Sequence, residues 1–262
     1  MLELDDPRWY SLEHASGFAS DIPELLQRLK LQPTPQLWDR IWDKLLIDMA
    51  VYPATVAIVP HLVMMAKELP PHKRHNHLIF VGMVAAHYED ATIPDDLDSA
   101  YREALKSSVL PLLEAIRLPP MDERILIHLL ASLASVCGND GLGRIMSGLI
   151  RGEFSLACPH CEGDLFVSPD EQGFRVYAPD PYEHEQHGVE VEPRGPMCHG
   201  VSLLPEHLSP VNAHQWLPAL ATRAGYPGLA ERIHHLHGCS ACPLCGHPLG
   251  VVEQIVERAT PQ

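Results

Sequence analysis

Positive charge is scarce in this 262-residue sequence, and it becomes scarcer along the chain. Asp and Glu number 34 against 19 Lys and Arg, which gives a formal net charge of -15. Acids exceed bases by 20 to 13 in residues 1–150 and by 14 to 6 in residues 151–262, and no lysine follows Lys106. A surface this acidic repels phosphate backbones, and we therefore expect no nucleic-acid partner. It would attract a basic protein.

Long apolar runs are also missing. The longest, at 78–86 and 125–136, fall short of the roughly 20 apolar residues that a membrane-spanning helix needs. The first 20 residues contain Asp5, Asp6 and Glu13 and show no basic start followed by an apolar run, so no signal peptide is predicted. We therefore expect a cytoplasmic protein with no membrane partner.

The sequence has neither a Gly-rich phosphate loop nor a nucleophile elbow. The run His184-Glu185-Gln186-His187 resembles a metalloprotease helix, but its histidines are three residues apart where that chemistry needs four. Two further histidine clusters are interpreted as solvated helix ends: His72, His75 and His77, and His234, His235 and His237. We therefore predict that the protein is not an enzyme.

Helical signals dominate residues 21–152. Asp21 is a predicted N-cap, and Thr34 is a second one because Pro35 follows it at the first helical position. The stretch 51–69 is apolar on more than half of its circumference, which predicts a helix sandwiched between neighbours despite the interior Pro60. Further helices are expected at 71–88, 95–118, 121–137 and 142–151. Residues 1–20 are predicted to form an irregular arm carrying Trp9, Tyr10 and Phe18.

Two of these helices share a local pattern. In both 57–62 and 108–113, a proline follows two apolar residues and precedes a run containing leucine. Helix pairs that recur about every 40 to 50 residues are typical of HEAT-type α-solenoids. An irregular helical bundle with coincidental prolines is the alternative.

Composition changes after Glu153. Ten prolines lie between 159 and 227, and the segment 162–192 holds nine acids against the single base Arg175. Short alternating runs at 165–167 and 174–177 predict strands, and helices are expected again at 214–224 and 227–237. Gly250-Val251-Val252 is expected to complete a small sheet.

Two Cys-Pro-x-Cys motifs lie in this second region: Cys158 with Cys161, and Cys242 with Cys245. Two such pairs supply the four thiolates that a tetrahedral structural zinc ion takes. Gly246 after the last cysteine suits the positive φ that such a turn often requires. A thioredoxin-like redox pair would instead need one motif opening a helix in a βαβ unit.

Three cysteines remain outside the two motifs: Cys137, Cys198 and Cys239. Cys239 lies three residues before Cys242, so a register that uses it as a ligand stays open, as do disulfide-linked or adventitious cysteines. The predicted fold is mainly α, with an arm at 1–20, a HEAT-like α-solenoid or helical bundle at 21–152, and a small α+β zinc-ribbon-like unit at 153–262. That unit carries a long acidic, proline-rich insertion.

Several of these segments together resemble a known group of proteins. The runs YPAT at 52–55 and VPHLV at 59–63, the Cys-Pro-x-Cys unit, and residues 219–236 leading into Cys242-Pro243-Leu244-Cys245-Gly246 look like bacterial HEAT-like repeat proteins that end in a split zinc ribbon. The resemblance covers residues 35–260. At the level of residues it transfers the four cysteines and nothing else.

The resemblance implies a function, since helical-repeat proteins of this kind are often immunity proteins that neutralise secreted antibacterial toxins, nuclease effectors among them. We therefore expect a non-enzymatic inhibitor of a cognate, basic toxin. A general scaffold or adaptor with a structural zinc ion is the alternative. Candidate partner contacts are four acids of the insertion: Glu183, Glu185, Glu190 and Glu192. A solvated loop is the competing interpretation of that segment.

Overall fold

The computed structural model describes residues 1–88, 93–118, 122–170, 173–178, 188–197 and 200–259. The chain divides into two compact units, Met1–Ala115 and Ile116–Gln262. Helices make up most of the regular structure in the described residues, and small antiparallel sheets make up the rest. The prediction of a mainly α fold is therefore confirmed.

The first unit is built from helices, and it contains α1 (Ile22–Leu31), α2 (Pro35–Leu45), α3 (Pro53–Glu68), α4 (His75–His87) and α5, which runs over Asp95–Ile116. Helix α2 begins as predicted, because the Thr34 hydroxyl accepts a hydrogen bond from the Leu37 N–H at 3.3 Å. Asp21 is the N-cap residue of α1, as predicted, but its side chain makes no capping hydrogen bond. Its carboxylate instead pairs with Lys44 at 3.2 Å and with His14 at 3.4 Å.

Helix α3 is the most completely buried helix of this unit. Even its polar residues Thr55 and His61 are buried, as the sandwiched-helix prediction requires. Each has a partner, since the Thr55 hydroxyl donates to the Leu45 carbonyl and the His61 Nε2 donates to the Leu2 carbonyl at 2.8 Å. Helix α3 packs against α4, and α1 packs against α2.

The N-terminal residues are more ordered than the predicted irregular arm. Pro7–Tyr10 forms a 3-10 helix, and β1 (Glu13–His14) pairs with β2 (Gly17–Phe18). Trp9 is fully buried and its Nε1 donates to the Glu3 carbonyl at 2.8 Å. This tryptophan therefore belongs to the core, while Tyr10 and Phe18 are exposed.

The second unit mixes short helices with two small sheets. Its helices are α6 (Glu123–Val136), α7 (Asp140–Ile145), α8 (Gly148–Arg151), α9 (Ala213–Arg223), α10 (Pro227–Leu236) and α11 (Val251–Ala259). One antiparallel sheet has the order β3 (Phe154–Ala157), β4 (Asp164–Asp170), β5 (Gly173–Tyr177), β6 (Val189–Glu190). The other is the hairpin β7 (Cys239–Ala241) and β8 (Pro248–Gly250). Both predicted strand runs are confirmed in β4 and β5.

The strand predicted at Gly250-Val251-Val252 is wrong beyond its first residue. Strand β8 ends at Gly250, and Val251 opens helix α11. The missed signal is helical, because the buried residues Val251 and Ile255 are four positions apart on one face. Helix α11 packs against both α7 and β3. The composition boundary between 152 and 153 therefore falls inside the second unit.

In the part of the chain that the structure describes, no helix is both long enough and apolar enough to cross a bilayer.

Candidate metal centre

The four motif cysteines meet in the second unit although the two pairs are far apart in the sequence. One ligand atom from each of Cys158, Cys161, Cys242 and Cys245 lies within 4.8 Å of all the others. The Sγ atoms of Cys158 and Cys245 are 3.7 Å apart, and those of Cys161 and Cys242 are 3.8 Å apart. A tetrahedron with Zn–S bonds of about 2.3 Å has S–S edges of about 3.8 Å. The sulfurs are therefore spaced for a tetrahedral ion.

Each pair sits at the tip of a β-hairpin. Strand β3 leads into Cys158 and β4 leaves after Cys161, with Ala157 opposite Asp164. In the same way β7 leads into Cys242 and β8 leaves after Cys245, with Ala241 opposite Pro248. The strand pairing thus fixes the direction in which each pair of thiols points.

The backbone turns at the two tips are alike. The N–H of Glu162 donates to the Cys158 carbonyl at 2.9 Å, and the N–H of Gly246 donates to the Cys242 carbonyl at 2.8 Å. The N–H of each leading cysteine also bonds across its hairpin, at 3.0 Å for Cys158 and 2.8 Å for Cys242. The equivalence explains why the two motifs share their spacing and their inner proline.

The residue after each second cysteine has a left-handed backbone. Gly246 has φ +74°, as predicted, and Glu162 has φ +58° at the equivalent position. A residue with a Cβ pays a steric penalty in this region that glycine avoids. The first turn is therefore the more strained of the two.

The two hairpin tips also pack on each other. A Cβ at Gly163 would lie 2.4 Å from Cδ1 of Leu244, so glycine lets the two tips approach closely without displacing that side chain. The rings of His160 and His247, one from each tip, stack with centroids 5.1 Å apart and planes 13° apart. These contacts hold the tips together in addition to anything the sulfurs bind.

The thiols differ in how readily they ionise. Burial acts to raise the pKa of Cys158, but backbone N–H groups of Cys161 and His160 outweigh it and lower the pKa to about 6. For Cys245, the His247 N–H acts to lower the pKa, but desolvation and the neighbouring thiols raise it to about 12. The cluster thus favours a thiolate at Cys158 and disfavours one at Cys161 and Cys245 unless a cation neutralises them, which suits a metal site.

The cluster is half-buried, since Cys158 and Cys242 are buried whereas Cys161 and Cys245 are exposed. Four protein ligands complete a tetrahedral shell, which is typical of structural rather than catalytic metal sites. The residues present fit a metal ion that ties two hairpins together.

The two other cysteines that the structure describes, Cys137 and Cys239, lie apart from this cluster. Cys239 is exposed, and its Sγ accepts a hydrogen bond from Arg194 Nε at 3.1 Å, so the register that uses it as a ligand is not the one the chain adopts. Cys137 is partly buried, and desolvation raises the pKa of its thiol to about 11. Cys198 lies outside the described residues.

The four acids proposed as partner contacts divide into two pairs. Glu190 and Glu192 are exposed, and Glu192 forms a β-bridge with Cys239 through two backbone hydrogen bonds of 2.8 Å. The C-terminal end of the acidic run is thus anchored to β7. Glu183 and Glu185 lie outside the described residues, as does the run at 184–187.

Two histidines differ from the predicted solvated helix ends. His77 is buried, its ring meets Trp38 edge-on at 4.8 Å, and desolvation lowers its pKa to about 4. His237, at the C-cap of α10, has a buried Nε2 without a hydrogen-bond partner in the described part of the chain, and desolvation lowers its pKa to about 4 as well. The spacing of three between His234 and His237 was the available signal that they share a helix face.

Comparisons of the chain with protein-family models, with curated protein sequences and with solved structures found no match.

Proposed function

We propose that the second unit is folded around a structural zinc ion bound by Cys158, Cys161, Cys242 and Cys245, and that the chain is a non-enzymatic binding protein. The spacing of the sulfur atoms carries this proposal, because distances of 3.7 and 3.8 Å match the edges of a zinc–thiolate tetrahedron. With two equivalent hairpin tips, the unit is a split zinc ribbon. Imidazole-free thiolate sets also suit iron, so the metal is the first thing to measure.

Metal analysis of the purified protein tests the zinc proposal directly. We expect one zinc per chain in the wild type and in Cys239→Ser, and none in Cys242→Ser. After exchange with Co²⁺, the wild type should show the strong sulfur-to-cobalt charge-transfer absorption of a tetrahedral thiolate site. A metal content unaffected by Cys242→Ser would refute the assignment, and iron in place of zinc would correct its identity.

As the partner of this binding protein we propose a basic protein, specifically a cognate antibacterial toxin such as a nuclease effector, neutralised in the cytoplasm. The net charge of -15 supports a basic partner, because opposite charge accelerates capture and helps specificity. The exposed Glu190 and Glu192, held by strand pairing, offer carboxylates at fixed positions. The helix pairs α1 with α2 and α3 with α4 support a HEAT-like repeat as the scaffold.

The immunity proposal is tested by co-expression with a secreted effector encoded beside this gene. Cells should survive the effector only when this chain is present, and the purified complex should associate more slowly as salt increases. A Glu190→Lys, Glu192→Lys double variant should slow association, whereas Glu24→Lys on α1 should not. Equal survival with and without the chain would reject the immunity role.

A scaffold or adaptor is the second candidate, because a helical-repeat surface serves that role equally well. Purification from native cells separates the two proposals. An inhibitor should bring down one dominant, inactivated partner in equal amount, whereas a scaffold should bring down several partners that remain active.

A further inference from the structure

A cavity of about 510 Å³ lies in the second unit, apart from the cysteine cluster. Three histidines from two helices line it: His214 in the first turn of α9, and His234 and His237 at the C-terminal end of α10. The rings of His214 and His237 are 6.2 Å apart between centroids. Imidazoles gathered from two packed helices in this way need a common explanation.

Two of these histidines have a ring nitrogen that is able to accept a bond from a ligand. Nε2 of His234 donates to the Gly195 carbonyl at 3.0 Å, so in the neutral ring Nδ1 carries a lone pair and is an acceptor. Nε2 of His237 is buried and has no hydrogen-bond partner among the residues that the structure describes. A buried nitrogen left without a partner is costly, so a ligand in the cavity would repay it.

The orientation of His234 is the one found in metal sites. Metal-ligating histidines generally donate their other ring N–H to a backbone carbonyl or a carboxylate, which fixes the ring and its tautomer. Desolvation keeps the pKa of His234 and His237 below its usual range, so both rings are neutral, as metal ligands must be. The spacing of three places both rings on one face of α10.

The charges around the cavity do not favour an anion. Arg194 lines the cavity, but its NH1 is paired with Glu253 at 2.7 Å and its Nε is bonded to the Cys239 sulfur. The guanidinium charge is therefore matched by the carboxylate, and the Nε donor and one NH1 donor are used. Neutral imidazole nitrogens are the unsatisfied groups that remain, and these bind Zn²⁺, Cu²⁺ and Ni²⁺.

We propose that His214, His234 and His237 form a second metal site, which takes a divalent transition-metal ion. Among the described residues, three or more candidate ligand atoms lie within 4.8 Å of one another at the four cysteines alone, so the histidine site must close on its ion. His214 supplies the movement, because its side chain is exposed and changes rotamer freely. This closure makes the site weaker and more exchangeable than the cysteine cluster.

Nickel titration of the full chain tests the proposal, with Ni²⁺ as the probe and calorimetry as the readout. Wild-type protein should bind one Ni²⁺ that His237→Gln and His234→Gln bind at least about tenfold more weakly. The matched control is His235→Gln, because His235 lies on the same helix but its Nδ1 donates to the Glu231 carbonyl and it does not line the cavity. That variant should bind Ni²⁺ like the wild type.

Because each variant is compared with His235→Gln, the result does not depend on what the cysteines hold. Circular dichroism identifies any variant that fails to fold. If either His234→Gln or His237→Gln fails to fold, the other variant still tests the proposal. His214→Gln should weaken binding as well, but less than the α10 variants, since its ring is the one that moves. Nickel affinity equal in all four variants, or no binding above the background of surface histidines, would overturn the proposal.

Discussion

The two units of this chain reach a fold by different means. The first is built from helices whose apolar faces are long and continuous, so that α3 is buried on nearly all sides. The second combines helices of four to fourteen residues with two- to seven-residue strands, and brings together sulfur atoms from cysteines 81 and 87 positions apart. We therefore expect apolar burial to suffice for the first unit, whereas the second should need the metal cross-link proposed above.

Removal of the metal should break this comparison most sharply. A strong chelator at pH 7 should unfold the second unit and leave the first intact, because structural zinc contributes on the order of 10 kcal/mol to folding in small zinc domains. Most helical circular dichroism should survive, while Trp216, which is buried in α9, becomes exposed. Mass spectrometry of limited-proteolysis fragments would show which unit is protected.

Equal protection of both units after verified metal loss would contradict the comparison. Readdition of Zn²⁺ should restore protection of the second unit, which controls for irreversible damage by the chelator.

Single ligand removal should give the next largest effect. Cys242→Ser should weaken zinc binding by more than about a hundredfold, because the loss of a ligand costs more than the loss of a group that only hydrogen-bonds to a ligand. It should also lower the stability of the second unit alone. Cys239→Ser is the matched control, since it is exposed, lies three residues away and can still accept from Arg194. Competition with a zinc-binding dye measures the affinity. Similar losses in both variants would argue against the cluster.

Acid should act on the first unit through His77. The ring is neutral in both states at pH 7, but between its unfolded pKa of about 6.5 and its folded pKa of about 4 only the unfolded chain is protonated. Stability should therefore fall by about 2 kcal/mol from pH 7 to pH 5 through this residue. Urea unfolding followed by tryptophan fluorescence measures the change, because Trp38 contacts the ring.

His77→Phe should retain the aromatic contact and lose this part of the pH dependence. His75→Gln, a half-exposed neighbour, should keep most of it, because desolvation lowers the pKa of His77 more than the charge of His75 does. If the slope in His77→Phe matched that of the wild type, the acid sensitivity would belong to other groups.

The smallest expected effect separates the two hairpin tips. Glu162→Gly should stabilise the second unit by roughly 0.5 to 1 kcal/mol, because it relieves a left-handed backbone at φ +58°. Gly246→Ala should destabilise it by about 1 kcal/mol for the same reason. Zinc-loaded thermal unfolding measures both, and changes of the same sign would show that backbone strain is not the cause.

Local signals in the sequence predicted much of the fold. Thr34 beside Pro35 fixed the start of α2, because capping and proline geometry act within one turn. The two cysteine pairs were predicted to lie together, because both have the same spacing and the same inner proline. The solenoid, zinc ribbon and immunity function remain predictions.

The misses have non-local causes. The Asp21 carboxylate pairs with Lys44 and His14, which belong to other elements, and makes no capping hydrogen bond. His237 looked like a solvated helix end because nothing in its own helix reveals that α9 brings His214 to the same cavity. The left-handed Glu162 was hidden because glycine, the usual marker of that backbone, is absent there.

Because the two hairpin tips are far apart in the sequence, the first cysteine pair is synthesised well before the second. Ribosomes add about 5 to 20 residues per second, so the 81 positions between Cys161 and Cys242 take roughly 4 to 16 s. During that interval the first pair has left the ribosome's active centre with half a binding site. A pause or truncation before the second pair would yield a polypeptide with a complete first unit. The thiols of Cys158 and Cys161 would then remain accessible to oxidants and to chaperones.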